Sequence, residues 1–214
     1  QHRGTPALRS KGERRNSSRH PAASARRRPA YGQAGRDRSV LIQISVAGAF
    51  GLRLWVPQWP PLWPAAAPMW AQVLVTGAIM DLGLYLMHRA SHASGFLWRL
   101  HAIHHMPERL YWLNGGRRHP LSALVLAGPG LTVLLALGAT PIAVGAWLGI
   151  MSVHLAFQHA NLDYRLGPFR HLLGVAEMHR WHHKRDFEDA QVNFGEVFLI
   201  WDRIQRAHEL GREK

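Results

Sequence analysis

The 214-residue chain contains no cysteine, which excludes a disulfide framework, a thiolate nucleophile, a Cys-ligated zinc site, an iron–sulfur cluster and a thiolate-ligated haem. Acidic residues are scarce, 13 against 26 Lys and Arg, for a formal charge of +13. Charge of either sign is missing altogether from residues 54–80 and 120–162, so an ordinary soluble domain with an evenly charged surface is excluded. What the chain has instead is a hydrophobic fraction of 47% and 15 histidines, 13 of them after residue 87.

Residues 1–38 hold eleven Lys and Arg among Ser, Ala, Gly and Pro, with almost no aliphatic periodicity, and read as a disordered basic arm. No aromatic stacking platform or binding motif accompanies the arginines, so no nucleic-acid partner is expected. Residues 39–214 read as one membrane-embedded domain. Four apolar stretches, at residues 39–56, 69–87, 121–137 and 141–157, are each near the lower limit for crossing a hydrocarbon core of about 30 Å. Buried core helices are the competing reading. The charge-free links between stretches, and Trp55, Trp59, Trp63 and Trp70 gathered like an interfacial belt around the first link, favour insertion.

The predicted fold is therefore all-α, an integral membrane protein with about four transmembrane helices in two hairpins. Orientation follows from Lys and Arg. The arm holds eleven, residues 88–119 five and residues 158–214 nine, whereas the links at 57–68 and 138–140 hold none. The positive-inside rule then puts the N-terminus and both histidine-bearing segments in the cytoplasm. Each hairpin returns the chain to the same side, so the two polar segments meet there as a helical, histidine-rich cap.

The histidines fall in clusters with helical spacing. His88 and His92 stand at i and i+4, and His101, His104 and His105 at i, i+3 and i+4. His179, His182 and His183 repeat that second pattern, and His159 begins the same polar segment. Such spacing stacks imidazoles on one helix face. Any one histidine could be a solvated or hydrogen-bonded residue, but three clusters brought to one side of a membrane point to a polynuclear metal site. They exceed the three or four ligands one zinc uses, so two metal ions are implied. Imidazole alone does not select among Zn, Cu, Fe and Ni. Asp81, Asn161, Asp186 and Asp189 are candidates to accept imidazole N–H bonds, with solvation or capping as their other reading.

HRASH at His88, HAIHH at His101, Arg118-His119-Pro120, Gln158-His159-Ala160-Asn161, HRWHH at His179, Asn193-Phe194-Gly195 and Trp201-Asp202-Arg203 together resemble the fatty acid hydroxylase superfamily, also called the sterol desaturase family. The resemblance implies two non-haem iron ions and O2 as co-substrate, with zinc the less favoured metal. It implies hydroxylation or desaturation of a C–H bond in a lipid substrate such as a sterol or fatty acid. It makes His88, His92, His101, His104, His105, His159, His179, His182 and His183 metal ligands, in boxes at 88–105 and 159–183. His119 and His154 then stand as ligands or supporting donors. Without cysteine, a dinucleotide fingerprint or a fused haem domain, electrons must come from a separate donor of ferredoxin or cytochrome type. The alternatives are a zinc-dependent membrane hydrolase and a metal-binding transporter.

Overall fold

A computed structural model describes residues 62–205 and 207. The basic arm, the apolar stretch at 39–56, Trp55 and Trp59 lie outside the described residues. Within them the chain is helical, with a single isolated bridge between Leu173 and Phe198. Three helices are long and apolar enough to cross a membrane: α1 (Met69–Ala93), α3 (Pro120–Leu137) and α4 (Pro141–Gln158). Between the first two lies α2 (Gly95–His105), followed by a 3-10 turn (Trp112–Gly116). After α4 come a second 3-10 turn (Gly167–His171), α5 (Ala176–His182) and α6 (Ile200–Ile204).

The boundaries follow local chemistry. Helices α3 and α4 each open on proline at N1, where a missing N–H costs nothing. Helix α3 ends at Gly138, left-handed at φ 77, whose N–H reaches the carbonyls of Leu134 and Leu135. Helix α1 runs past the apolar stretch to Ala93, 25 residues in all, so His88 and His92 project from its last turns. Ser94 then breaks the helix in extended conformation and caps α2 by accepting from the Leu97 N–H.

The spans pack closely where side chains are absent. A Cβ on Gly83 would lie 2.7 Å from the Gly130 nitrogen, and one on Gly130 would lie 3.0 Å from Met80 Cα, so α1 and α3 cross nearly backbone to backbone. A core of Trp63, Met80, Leu134, Ala139, Ala143, Trp147 and Val197 fills the space beside this crossing. Trp63 is thus a core residue and not an interfacial one. Its Nε1 donates to Gln72 Oε1 at 2.8 Å, and Thr140 Oγ1 donates to the same oxygen at 3.1 Å. These bonds pin the α3–α4 link to the start of α1, so both lie at the end of the bundle away from the histidines.

The last element that shapes the site is irregular. Residues 193–199 form a strap across the bundle, beginning at Asn193 with φ 53. Asp81 on α1 accepts from the N–H groups of Val197 and Phe198 and from the Trp201 indole, at 2.8, 3.0 and 3.0 Å. Asp202 accepts from the Phe194 and Gly195 N–H groups, both at 2.8 Å. The Gln158 amide donates to the carbonyls of Gly195 and Glu196.

Candidate metal centre

Each histidine cluster arrives on its own element. His88 and His92 come from the end of α1, His101, His104 and His105 from α2, His159 from the cap of α4, and His179, His182 and His183 from α5 and its cap. They sort into two groups, His88, His92, His101, His105 and His182 in one, and His104, His159, His179 and His183 in the other. Within each group the available ring nitrogens all lie within 4.8 Å of one another. The groups adjoin, with the rings of His105 and His183 stacked at 4.4 Å. Among the described residues both groups are purely imidazole.

The nitrogen spacing is informative. In the five-histidine group, His105 Nε2 lies 3.2 Å from His92 Nε2 and 3.1 Å from His101 Nε2. In the four-histidine group, His159 Nε2 lies 3.3 Å from His104 Nε2 and 3.0 Å from His179 Nε2, which is 3.0 Å from His183 Nε2. Nitrogens each about 2.1 Å from one metal ion sit about 3.0 Å apart at right angles and about 3.4 Å apart at the tetrahedral angle. The buried His88 Nε2 and His182 Nε2 have no hydrogen-bond partner, an expensive state that a metal ion relieves. The residues present therefore fit two metal ions.

Backbone carbonyls aim the rings. Nδ1 of His88 bonds Phe194 O at 2.7 Å, that of His104 bonds Asn114 O at 3.2 Å, that of His159 bonds Leu155 O at 2.9 Å, and that of His182 bonds Val192 O at 2.9 Å. With Nδ1 donating, Nε2 carries the lone pair that faces the centre. Charge state agrees. Burial pushes His159 and His182 down to about 4 and, helped by the Arg118 charge and His182, pushes His101 down to about 2. Burial also holds His104, His105, His179 and His183 far below the ordinary imidazole value, so these rings are neutral, the form that binds metal.

All nine histidines of the three motifs and His159 are thus brought together. The other candidates have different partners. His119 caps α3, accepting from the Leu121 N–H at 3.2 Å, and His154 donates to Gly174 O at 3.1 Å. Asp81 holds the strap, Asp189 pairs with Lys184 at 3.0 Å, and Asp186 is exposed. Asn161 is exposed and lines, with Tyr111, Trp112, Ala156, Phe157, Ala160 and Leu162, a cavity of about 380 Å³ that none of the nine histidines lines. The sequence reading missed Asn114, fully buried and bonded to both ends of its neighbour, Nδ2 to His104 O and O to His104 Nδ1. It also missed Gln191, whose amide nitrogen lies 3.2 Å from His92 Nδ1. The Asn193-Phe194-Gly195 motif was visible, but not that its carbonyl aims His88.

The family model for fatty acid hydroxylase matches residues 73–207. An ornithine lipid hydroxylase, OlsE of Rhizobium tropici, is 37% identical over 151 residues, covering 70% of this chain and 43% of its own. The alkylglycerol monooxygenases of Caenorhabditis elegans and Homo sapiens are 31% and 28% identical, covering 62% and 63% of this chain and 26% and 30% of theirs. The chain therefore spans less than half the length of each of these curated relatives. No solved structure matches it.

Proposed function

The chain belongs to the fatty acid hydroxylase family, and from that premise we propose that it is a membrane-bound, non-haem di-iron oxidoreductase that uses O2 to hydroxylate a lipid C–H bond. The observation that carries this reading is the pair of all-imidazole groups with Nε2 spacings of 3.0 to 3.3 Å. His88, His92, His101, His105 and His182 would hold one ion, and His104, His159, His179 and His183 the other. When bound, the two irons supply O2 activation: one oxygen atom enters the C–H bond, and the other leaves as water with two electrons and two protons from a separate donor.

The protein's own part is binding, orientation and exclusion of water. Carbonyls of the strap and of the first 3-10 turn fix the ring tautomers, and burial keeps the imidazoles unprotonated. The spans give an apolar substrate access from the bilayer, so that an aliphatic chain never has to enter water. Hydroxylation is preferred to desaturation because the relatives are a hydroxylase and monooxygenases by name. A mid-membrane transporter is disfavoured, because the clusters sit at the end of α1 and beyond α4 and not midway along a span.

Iron-loaded protein should carry two iron ions per chain and consume O2 in the presence of a reductant and lipid. His104→Ala and His182→Ala should each bring the count to about one, since each removes a ligand from a different group, and should lower turnover at least about a hundredfold. Two irons and full activity in both variants, or tight zinc with O2-independent hydrolysis, would overturn the reading.

A further inference from the structure

The two histidine groups are aimed by different stretches of backbone. Carbonyls of Val192 and Phe194, leading into the strap, hold His182 and His88 of the five-histidine group. Carbonyls of Asn114 and Leu155 hold His104 and His159 of the four-histidine group. Two side chains join the two supports: Gln158 of α4, bonded to the Gly195 and Glu196 carbonyls, and Arg118. Arg118 Nε donates to Gly115 O at 3.1 Å, within the 3-10 turn, while its Nη2 donates to both carboxylate oxygens of Glu196 on the strap, at 2.7 and 2.9 Å.

Each end of this tie lies beside a histidine of a different group. A Cβ on Gly115 would lie 3.1 Å from His159 Nδ1, and Glu196 Oε1 lies 3.9 Å from His88 Nδ1. The pair is also dry, with side-chain exposures of 10% for Arg118 and 1% for Glu196. A buried ion pair brings little net stability over well-packed apolar side chains, and its best-attested use is to fix register. A guanidinium suits that use, because its planar fork makes several bonds in one fixed geometry.

We propose that Arg118 is a positioning residue that sets the spacing and relative orientation of the two metal centres by tying the Asn114–Gly115 turn to the strap. The inference rests on the reading of both groups as occupied metal sites. Arg118 touches neither metal nor substrate; it acts through Gly115 and Glu196. Lysine at this position keeps a positive charge beside Glu196 but cannot bond the carboxylate and Gly115 O in the same plane, so it separates charge from geometry.

The test uses the full chain in detergent, loaded with Mn(II) as a spin probe. Two Mn(II) per chain in the unaltered protein supports the two-site reading, and fewer than two refutes that reading before Arg118 is addressed. R118K should keep two Mn(II) per chain while the spin–spin splitting in its EPR spectrum changes. With iron in place, product formed per O2 consumed should fall at least threefold. Unchanged splitting overturns the proposal, and so does loss of one metal, which would make Arg118 the support of a single centre. If R118K does not fold, R118M/E196L removes both charges together and is read against the same outcomes. Failure of both variants to fold overturns the proposal in favour of a purely structural ion pair.

Discussion

Asp81 stands about two turns ahead of His88 on α1, and its carboxylate is completely buried. It accepts three hydrogen bonds from a segment 116 to 120 residues away. Removing the carboxylate leaves two backbone N–H groups and an indole N–H without an acceptor, at about 1 kcal/mol or more each. Asp81→Ala should therefore lower stability by about 3 kcal/mol, read as unfolding in mixed detergent. Asp81→Asn, which keeps one acceptor oxygen, should lose less. Asn114 works on a smaller scale. Its Nδ2 bond to His104 O holds the turn whose carbonyl aims His104. Asn114→Ala should weaken iron at the four-histidine centre by about tenfold to a hundredfold and leave the five-histidine centre loaded, a difference that metal titration followed by Mössbauer spectroscopy resolves.

Among the elements, the crossing of α1 and α3 decides how the end of α1 meets the rest of the cap. With Gly83 and Gly130 in backbone contact, a larger side chain must force the helices apart. Gly83→Leu should cost about 2 kcal/mol or more, measured as a lower melting temperature of the purified protein. The three described spans were legible because a charge-free run of helical length has few other uses. The histidine groups were legible because i, i+3 and i+4 spacing puts rings on one face whatever the tertiary structure. Helix α1 continues to Ala93 beyond its apolar stretch, a continuation that the i, i+4 spacing of His88 and His92 predicts and that hydropathy, which marks where lipid ends, does not. The strap was not legible. It has no periodicity, and its bonds to Asp81, Gln158 and Arg118 join positions whose nearness exists only once the helices have packed. For the same reason Asp81 looked like a partner for imidazole when it holds backbone N–H groups instead.

At the scale of the whole molecule, all nine histidines lie at one end of the bundle. Helix α1 arrives there, α3 leaves from there and α4 returns there, whereas the start of α1 and the α3–α4 link are pinned together at the other end through Gln72 and Thr140. Among the described residues Lys and Arg follow the same division: residues 88–119 hold five and residues 158–205 hold six, against none in the link at 138–140. The positive-inside rule then predicts a cytoplasmic histidine cap, the side from which the proposed separate electron donor would have to reach it. Because the chain has no cysteine, the orientation can be read from single cysteines placed at exposed positions on either end. In intact cells, Pro141→Cys, at the link, should react with a membrane-impermeant maleimide. Asp186→Cys, beside the histidine cap, should react only after the membrane is opened. The opposite pattern would put the histidines on the outer face, away from cytoplasmic electron donors, and would remove the basis for a cytoplasmic reductant while leaving the metal geometry untouched.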